Sequence, residues 1–198
     1  MNSPTHTLLA LAVLSKNGLP ARNRAIFLGS LIPDAFIYIG WVWLTFIRKE
    51  PQERIWNEIY FDAPMQLVAS IFNSVPIYAA LALAGYFLIK SRWGLMLSFF
   101  ALAALLHIAT DFPVHNHDAY AHFWPLSDWR FISPFSYYEQ DHHGRLVSLI
   151  ETVIALICIA VLWRRFPKRW VRFVLGFFAL LYIALQILIR LAPAGGAG

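Results

Sequence analysis

Five apolar stretches constrain this chain more than any other feature. Each is long enough, or nearly so, to cross a bilayer, and they occupy residues 25–47, 64–89, 93–110, 147–163 and 171–192. A sixth apolar stretch, at 7–14, is too short to cross. With 198 residues and no repeat or long linker, the chain predicts one membrane domain over residues 1–198. We therefore predict an all-α integral membrane bundle of about five transmembrane helices plus an N-terminal re-entrant half-helix.

The charges between these stretches predict the orientation of the bundle. Loops 15–24, 90–92 and 164–172 carry only basic charges, whereas loops 48–63 and 111–146 carry more acids than bases. Basic loops stay in the cytoplasm. The net charge of +5 is thus a topology signal and does not indicate nucleic-acid binding. It places the histidine-rich loop 111–146 on the extracytoplasmic face.

Histidines gather in one part of the sequence. All seven lie near the ends or breaks of apolar stretches, and five fall in loop 111–146. Just before that loop, His107 and Asp111 stand four residues apart, on one face of a helix. Such a pair can hold a metal ion jointly, or the acid can orient the imidazole; a helix-end hydrogen bond is the alternative. In a chain otherwise poor in ionisable groups, imidazoles and carboxylates at one level predict a metal site.

Two carboxylates, Asp34 and Glu151, lie inside apolar stretches. A lone carboxylate there costs several kcal/mol unless it is paired or binds a metal. Pro33, in the run GSLIPD, predicts a helix break that turns Asp34 into a polar cavity. An acid that is merely hydrogen-bonded inside the bundle is the alternative.

Depth estimates bring several polar residues to a similar level. At about 1.5 Å of helix rise per residue, His6, Asp34 and His107 reach roughly 15, 14 and 21 Å from the cytoplasmic face. Asn73-Ser74 descends from the other side to a similar level. These depths allow the residues to meet beneath loop 111–146.

The start of the histidine-rich loop offers further metal ligands. His115, His117, Asp118 and His122 form the pattern H-x-H-D-x-x-x-H, which can supply two or three ligands. A solvated loop with incidental histidines is the alternative.

Catalytic residues are predicted near the end of this loop. Of the neighbours His142 and His143, one can bind the metal while the other acts as general acid or base, with Glu151 two turns further along the chain. Arg130 can clamp a phosphate with two parallel hydrogen bonds, or it can form an ordinary ion pair with Asp128.

The chain resembles the LexA-regulated, YdjM-type family of membrane-bound metal-dependent hydrolases. The resemblance covers roughly residues 3–125 and consists of Thr5-His6, the run GSLIPD ending in Asp34, and His107-x-x-x-Asp111. It implies a small multi-pass protein of the bacterial inner (plasma) membrane that uses a divalent metal for hydrolysis. It also implies that His6, Asp34, His107 and Asp111 are metal ligands.

The middle of the chain departs from the family pattern, and a second resemblance is more distant. The family has a His-Arg pair and a second Thr-His-Ser there, where this sequence has only Asn73-Ser74. One ligand is therefore missing or comes from the loop. The mixture of H-x-x-x-D with other histidines is also similar to zinc-dependent phospholipase C and related single-strand nucleases. That similarity implies a phosphoester substrate and several zinc ions.

Together these patterns predict a metal-dependent hydrolase that acts on a lipid or lipid-linked substrate at the extracytoplasmic face. Water activated by the metal would attack an ester or phosphoester. Imidazole and carboxylate ligands without a thiolate favour Zn²⁺, with Mn²⁺ or Fe²⁺ as alternatives. The predicted metal ligands are His6, Asp34, His107, Asp111, Asp118, His122 and His142. The predicted catalytic residues are His143 as general acid or base, Arg130 on an anionic headgroup, and Glu151.

Two alternatives from other classes stay open. A metal or proton transporter, or a non-catalytic metal-binding membrane protein, also places acids and histidines inside a membrane. A transporter needs a polar path to the cytoplasm, and the cytoplasmic halves of the apolar stretches are nearly free of polar residues, which favours the enzyme. Haem held by His6 and His107 requires two imidazoles that face each other across helices.

Overall fold

A computed structural model describes residues 1–191 as a set of α-helices, with no strand in that range. The helices are α1 (Ser3–Leu14), α2 (Pro20–Val42), α3 (Gln52–Asn57), α4 (Ala63–Phe72), α5 (Val75–Phe87), α6 (Arg92–Asp111), α7 (Gly144–Arg165) and α8 (Arg169–Leu191). A π-helical turn, Trp43–Ile47, extends α2, and 3₁₀ turns cover Ile59–Phe61, Phe112–Val114 and Gln140–His142.

Five helical segments are long and apolar enough to cross a membrane. They are Pro20–Ile47, Ala63–Phe87, Arg92–Val114, Gly144–Arg165 and Arg169–Leu191. They coincide with the five predicted stretches, so the prediction of an all-α, multi-pass membrane bundle is confirmed. The shorter helix α1 has 12 residues and corresponds to the predicted half-helix.

Charged residues bind both ends of α1, which packs against α2, α6 and α7. At its start, Oε1 of Glu151 accepts hydrogen bonds from the backbone and side-chain nitrogens of Asn2, at 2.8 and 3.0 Å. At its end, Arg22 and Arg165 donate to main-chain carbonyls of the last turn, each at 3.0 Å. A negative charge at the first turn and positive charges at the last complement the helix dipole. A helix too short to cross a membrane can therefore end inside the protein with its polar groups bonded.

The helix break is not where the sequence predicts it. Pro33 lies inside an uninterrupted α2, so the predicted break at this residue is wrong. The break occurs instead between α4 and α5, at Asn73 and Ser74. The Ser74 hydroxyl accepts from the backbone nitrogen of Ile77 and caps α5, and the His122 carbonyl accepts from the backbone nitrogen of Val75 at 2.8 Å. These partners satisfy backbone groups that a continuous helix would have paired internally.

A close contact between α2 and α6 positions the site. A methyl group added at Gly29 of α2 would overlap the main-chain carbonyl of Phe100 on α6. Small residues allow helix backbones to approach in this way. The approach brings the next residue of α2, Ser30, within hydrogen-bond distance of His107 on α6.

Candidate metal centre

The residues His6, His107 and Asp111 form a buried group that can bind a metal ion. One potential ligand atom from each lies within 4.8 Å of the others, and it is the one set of three or more such residues found in residues 1–191. His6 comes from α1, and the other two come from the end of α6. His6 Nε2 lies 2.9 Å from Oδ1 of Asp111, and His107 Nε2 lies 3.1 Å from Oδ2. The two imidazole rings stack, with centroids 3.6 Å apart. This stack leaves no room for a macrocycle between the rings, which argues against a haem held by His6 and His107.

Hydrogen bonds fix which ring nitrogen faces the group. His107 Nδ1 lies 2.7 Å from the carbonyl of Ser30, which only accepts hydrogen bonds, so in the neutral ring Nδ1 carries the proton. His6 Nδ1 lies 3.1 Å from the hydroxyl of Thr110, which itself donates to main-chain carbonyls of α6. Both rings therefore turn Nε2, with its lone pair, toward Asp111. An oxygen acceptor on the second ring nitrogen is the usual support of a metal-binding histidine.

Asp34 reaches this group from α2. Its Oδ1 lies 3.4 Å from Nε2 of His107, and its Oδ2 accepts a hydrogen bond from the hydroxyl of Ser3. That hydroxyl also lies 2.6 Å from the hydroxyl of Tyr38. The structure thus brings together the four residues that the family resemblance implies as ligands, namely His6, Asp34, His107 and Asp111.

The amine of Met1 also contacts this group. It lies 2.5 Å from Oδ1 of Asp111, and the Met1 carbonyl lies 3.2 Å from Nε2 of His6. A positive charge therefore lies against the carboxylate at the centre of the group.

His115 extends the group; the pattern H-x-H-D-x-x-x-H offers it as a ligand, but the predicted set of metal ligands does not include it. Its Nε2 is buried without a hydrogen-bond partner and lies 3.5 Å from Oδ1 of Asp111. Its Nδ1 lies 2.8 Å from Oδ2 of Asp118, which fixes the ring. Burial lowers the pKa of His115, but the carboxylates of Asp111 and Asp118 outweigh it and raise the pKa to about 9. The spacing of four residues after Asp111 was the available signal, because it repeats the spacing from His107 to Asp111.

His122, which comes from the loop between α6 and α7, also has a main-chain carbonyl beside its Nδ1, as His107 does. Its Nδ1 lies 3.1 Å from the carbonyl of Asn73, at the break between α4 and α5. Burial is the largest cause that lowers the pKa of His122, and the nearby His115 lowers it further. The Asn73 side chain in turn donates to the Pro33 carbonyl at 3.2 Å, which ties this break to α2.

Three predicted ligands, Asp118, His122 and His142, lie outside the group of His6, His107 and Asp111. Asp118 is linked to them only through His115. The half-buried His142 pairs instead with Glu139, and its Nδ1 lies 3.0 Å from Oε2 of that residue. The two residues are three apart in the sequence, and the 3₁₀ turn Gln140–His142 brings their side chains together. Their roles as ligands stay predictions.

The predicted catalytic residues also lie apart from the group. His143 is exposed, has a φ of 63° and packs against Phe135, with ring centroids 5.3 Å apart. Arg130 donates from Nη1 to Oε1 of Gln66 and to the Ala119 carbonyl, at 2.8 and 3.1 Å, so part of its donor set is used within the protein. Glu151 binds the start of α1. Their catalytic roles stay predictions.

Nothing matches this chain in comparisons with protein-family models, with curated proteins and with solved structures. The fold and site therefore define its class on their own. It is a multi-pass helical membrane protein with a buried histidine and aspartate group that can bind a metal ion. Membership of the YdjM-type family stays a prediction.

Proposed function

We propose that this protein is a membrane-bound, zinc-dependent hydrolase that cleaves an ester or phosphoester of a lipid at the extracytoplasmic face. One observation carries the proposal: imidazole nitrogens and carboxylate oxygens converge in a buried site. His6, Asp34, His107 and Asp111 would hold the ion. His115 would orient Asp111, and Asp118 fixes the ring of His115.

The spacing of the ligand atoms supports a single ion. Four ligands around a tetrahedral ion at about 2.0–2.1 Å lie about 3.3 Å from one another. Three neighbouring pairs lie near this separation: 2.9 Å from His6 to Oδ1 of Asp111, 3.1 Å from His107 to Oδ2 of Asp111, and 3.4 Å from His107 to Oδ1 of Asp34. The ligand atoms that all lie within 4.8 Å of one another are those of His6, His107 and Asp111. Imidazole and carboxylate without a thiolate favour zinc. A bound zinc ion supplies Lewis acidity and an activated water molecule.

Residues of the chain hold the proposed ligands in position and bury them. The acceptors Ser30 and Thr110 hold two imidazoles with Nε2 facing the site, and Ser3 holds the Asp34 carboxylate. Ligands that are fixed in advance need no rearrangement when charge develops in the reaction. Because α2 and α6 are apolar enough to cross a membrane, the substrate we propose is a lipid rather than a soluble ester.

Hydrolysis by zinc-loaded protein tests this function. Protein purified in a neutral sugar detergent is stripped with a chelator, reloaded with zinc and assayed on carboxylic-ester and phosphodiester lipids in mixed micelles. We expect zinc-dependent release of product that His107→Ala abolishes and Asp128→Ala retains, since Asp128 is exposed and outside the group. Zinc flux into proteoliposomes without hydrolysis would identify the transporter alternative instead.

Cysteine labelling tests the predicted orientation. Cys158 is buried and is the single cysteine of the sequence, so Cys158→Ser gives a background without native thiols. Cysteines at the exposed positions Ser127 and Lys168 lie in the acidic and basic loops. In intact cells, a membrane-impermeant thiol reagent should label position 127 and spare position 168. The reverse pattern would contradict the extracytoplasmic site.

A further inference from the structure

An open cavity of about 510 Å³ is lined in part by Asp118, which contacts His115. The residues that line it come from α2, from the end of α3 and the 3₁₀ turn after it, and from the loop between α6 and α7: Ile37, Trp56, Asn57, Tyr60, Phe61, His117, Asp118, Tyr137 and Tyr138. Small-ligand pockets typically enclose about 300–1,000 Å³. The cavity is therefore large enough for a small organic ligand or a lipid headgroup.

Aromatic rings form much of the cavity wall, and they are inclined to one another. The Tyr60 and Phe61 rings lie 5.0 Å apart at 88°, and those of Tyr137 and Tyr138 lie 5.0 Å apart at 67°. Trp56 lies 6.1 Å from Tyr60 at 49°. The face of an aromatic ring attracts a cation that lies within about 6 Å of the ring centre. Rings in several orientations around one space are the arrangement that binds alkylammonium groups.

A buried carboxylate adds negative charge to this wall. Asp118 is 5% exposed, and its Oδ2 lies 2.8 Å from His115. Its Oδ1 is buried and has no hydrogen-bond partner in the described chain. Neither lysine nor arginine appears among the described lining residues. His115 contacts the other oxygen of this carboxylate, and a cation in the cavity would add a favourable charge interaction with Asp118.

We infer that this cavity binds an alkylammonium cation, with the aromatic rings around the cation and Asp118 as its counter-ion. The cation site itself is independent of hydrolysis. Identification of its ligand with the headgroup of the substrate lipid rests on the proposed function. Two observations support the identification with a lipid headgroup. Ile37, which lines the cavity, belongs to the span Pro20–Ile47, and Asp118 is linked through His115 to Asp111.

Choline binding to zinc-free protein tests the cation site. The full chain in a neutral sugar detergent is dialysed against radiolabelled choline, with the neutral isostere 3,3-dimethylbutan-1-ol as competitor. We expect saturable choline binding that the isostere does not displace. Asp118→Asn should weaken binding at least about tenfold, and Trp56→Leu about threefold to tenfold. The matched controls Asp128→Asn and Trp93→Leu, at exposed positions outside the cavity, should bind choline as the native protein does.

Several outcomes overturn the inference. Absence of saturable choline binding, equal binding of the isostere, or unchanged binding by both cavity variants would each show that the cavity is not a cation site. If Asp118→Asn does not fold, Trp56→Leu and the isostere still decide, because Trp56 is 41% exposed.

Lipid competition then separates the two sources of the cation. Phosphatidylcholine in mixed micelles should displace choline, whereas phosphatidylglycerol should not. If unlabelled choline displaces the bound choline but phosphatidylcholine does not, the lipid identification is overturned and the cavity is a site for a soluble cation. Since the dialysis uses zinc-free protein, a failure of the hydrolase proposal would leave choline binding intact.

Discussion

The α2–α6 interface and the α7–α8 interface are both built from long apolar helices, yet they bury different chemistry. The first holds Asp34, His107 and Asp111. The second buries Ala155, Cys158, Ile159, Leu162, Leu175 and Tyr182. Its interhelical polar bonds include those of Gln186, whose amide nitrogen donates to Ser148 and Thr152.

The two interfaces differ in how the buried polar atoms of Gln186 and His107 are hydrogen-bonded. The Gln186 amide nitrogen has three acceptors within 3.0 Å on α7. At the α2–α6 interface, Nε2 of His107 is buried without a hydrogen bond, although two carboxylates lie within 3.4 Å. Polar groups that serve only to join helices satisfy one another. The convergence of imidazoles and carboxylates from different helices therefore distinguishes this site from the α7–α8 contact.

The largest effect is expected from removal of a ligand at the α2–α6 interface. His107→Ala and Asp34→Ala should each lower the zinc content from about one ion per chain to near zero. Because a bound ion stabilises only the folded state, both variants should also lose the rise in melting temperature on zinc addition. Elemental analysis and thermal unfolding measure the two quantities. His117→Ala is the control, and full zinc content in Asp34→Ala would reduce Asp34 to a hydrogen-bonded acid.

A smaller loss is expected from His115, which contacts Asp111 rather than the centre of the proposed ligand set. His115→Ala should weaken zinc binding about 10–100-fold, as is typical for residues that orient a ligand. The ion should still bind at saturating zinc. Titration with a competing chelator gives the affinity. His142→Ala is the matched control from the same loop, because His142 pairs with Glu139. A larger loss in His142→Ala than in His115→Ala would refute this assignment.

Packing between α2 and α6 gives the third expected effect. Gly29→Ala forces a methyl group onto the Phe100 carbonyl and should destabilise the protein by about 1–3 kcal/mol. Zinc affinity should fall with it, since a shift of α2 moves the Ser30 carbonyl away from His107. Gly176→Ala on α8 is the control, because its nearest contact would be the Trp163 ring at 3.8 Å. Equal melting temperatures in detergent would contradict the close approach of α2 and α6.

The apolar spans were predictable because a bilayer demands continuous hydrophobic sequence, whatever the tertiary packing. The approach of Asp34 to His107 followed from the same constraint. Helix rise fixes depth, and a carboxylate at that depth requires a partner. Short local motifs and depth therefore predicted that His6, Asp34, His107 and Asp111 lie close together.

Loop residues and the helix break were not predictable in this way. The choice between His115 and His142 depends on the path of the chain between α6 and α7, which helix periodicity does not describe. The break was assigned to Pro33 because proline lacks a donor, yet α2 continues through it. Asn73 and Ser74 break their span instead, because partners distant in sequence, such as the His122 carbonyl, satisfy the exposed backbone.

The smallest effect is expected at the α7–α8 interface. Gln186→Leu removes the hydrogen bonds to Ser148 and Thr152 while keeping a side chain of similar size in an apolar setting. Interhelical hydrogen bonds in membranes contribute about 0.6 kcal/mol on average, so the free energy of unfolding should fall by about that amount. Zinc content should not change, because α8 supplies no residue of the metal group. Unfolding in detergent mixtures and elemental analysis measure both. A loss of zinc in Gln186→Leu would show that the two interfaces are coupled, and the contrast between a ligand site and a structural contact would fail.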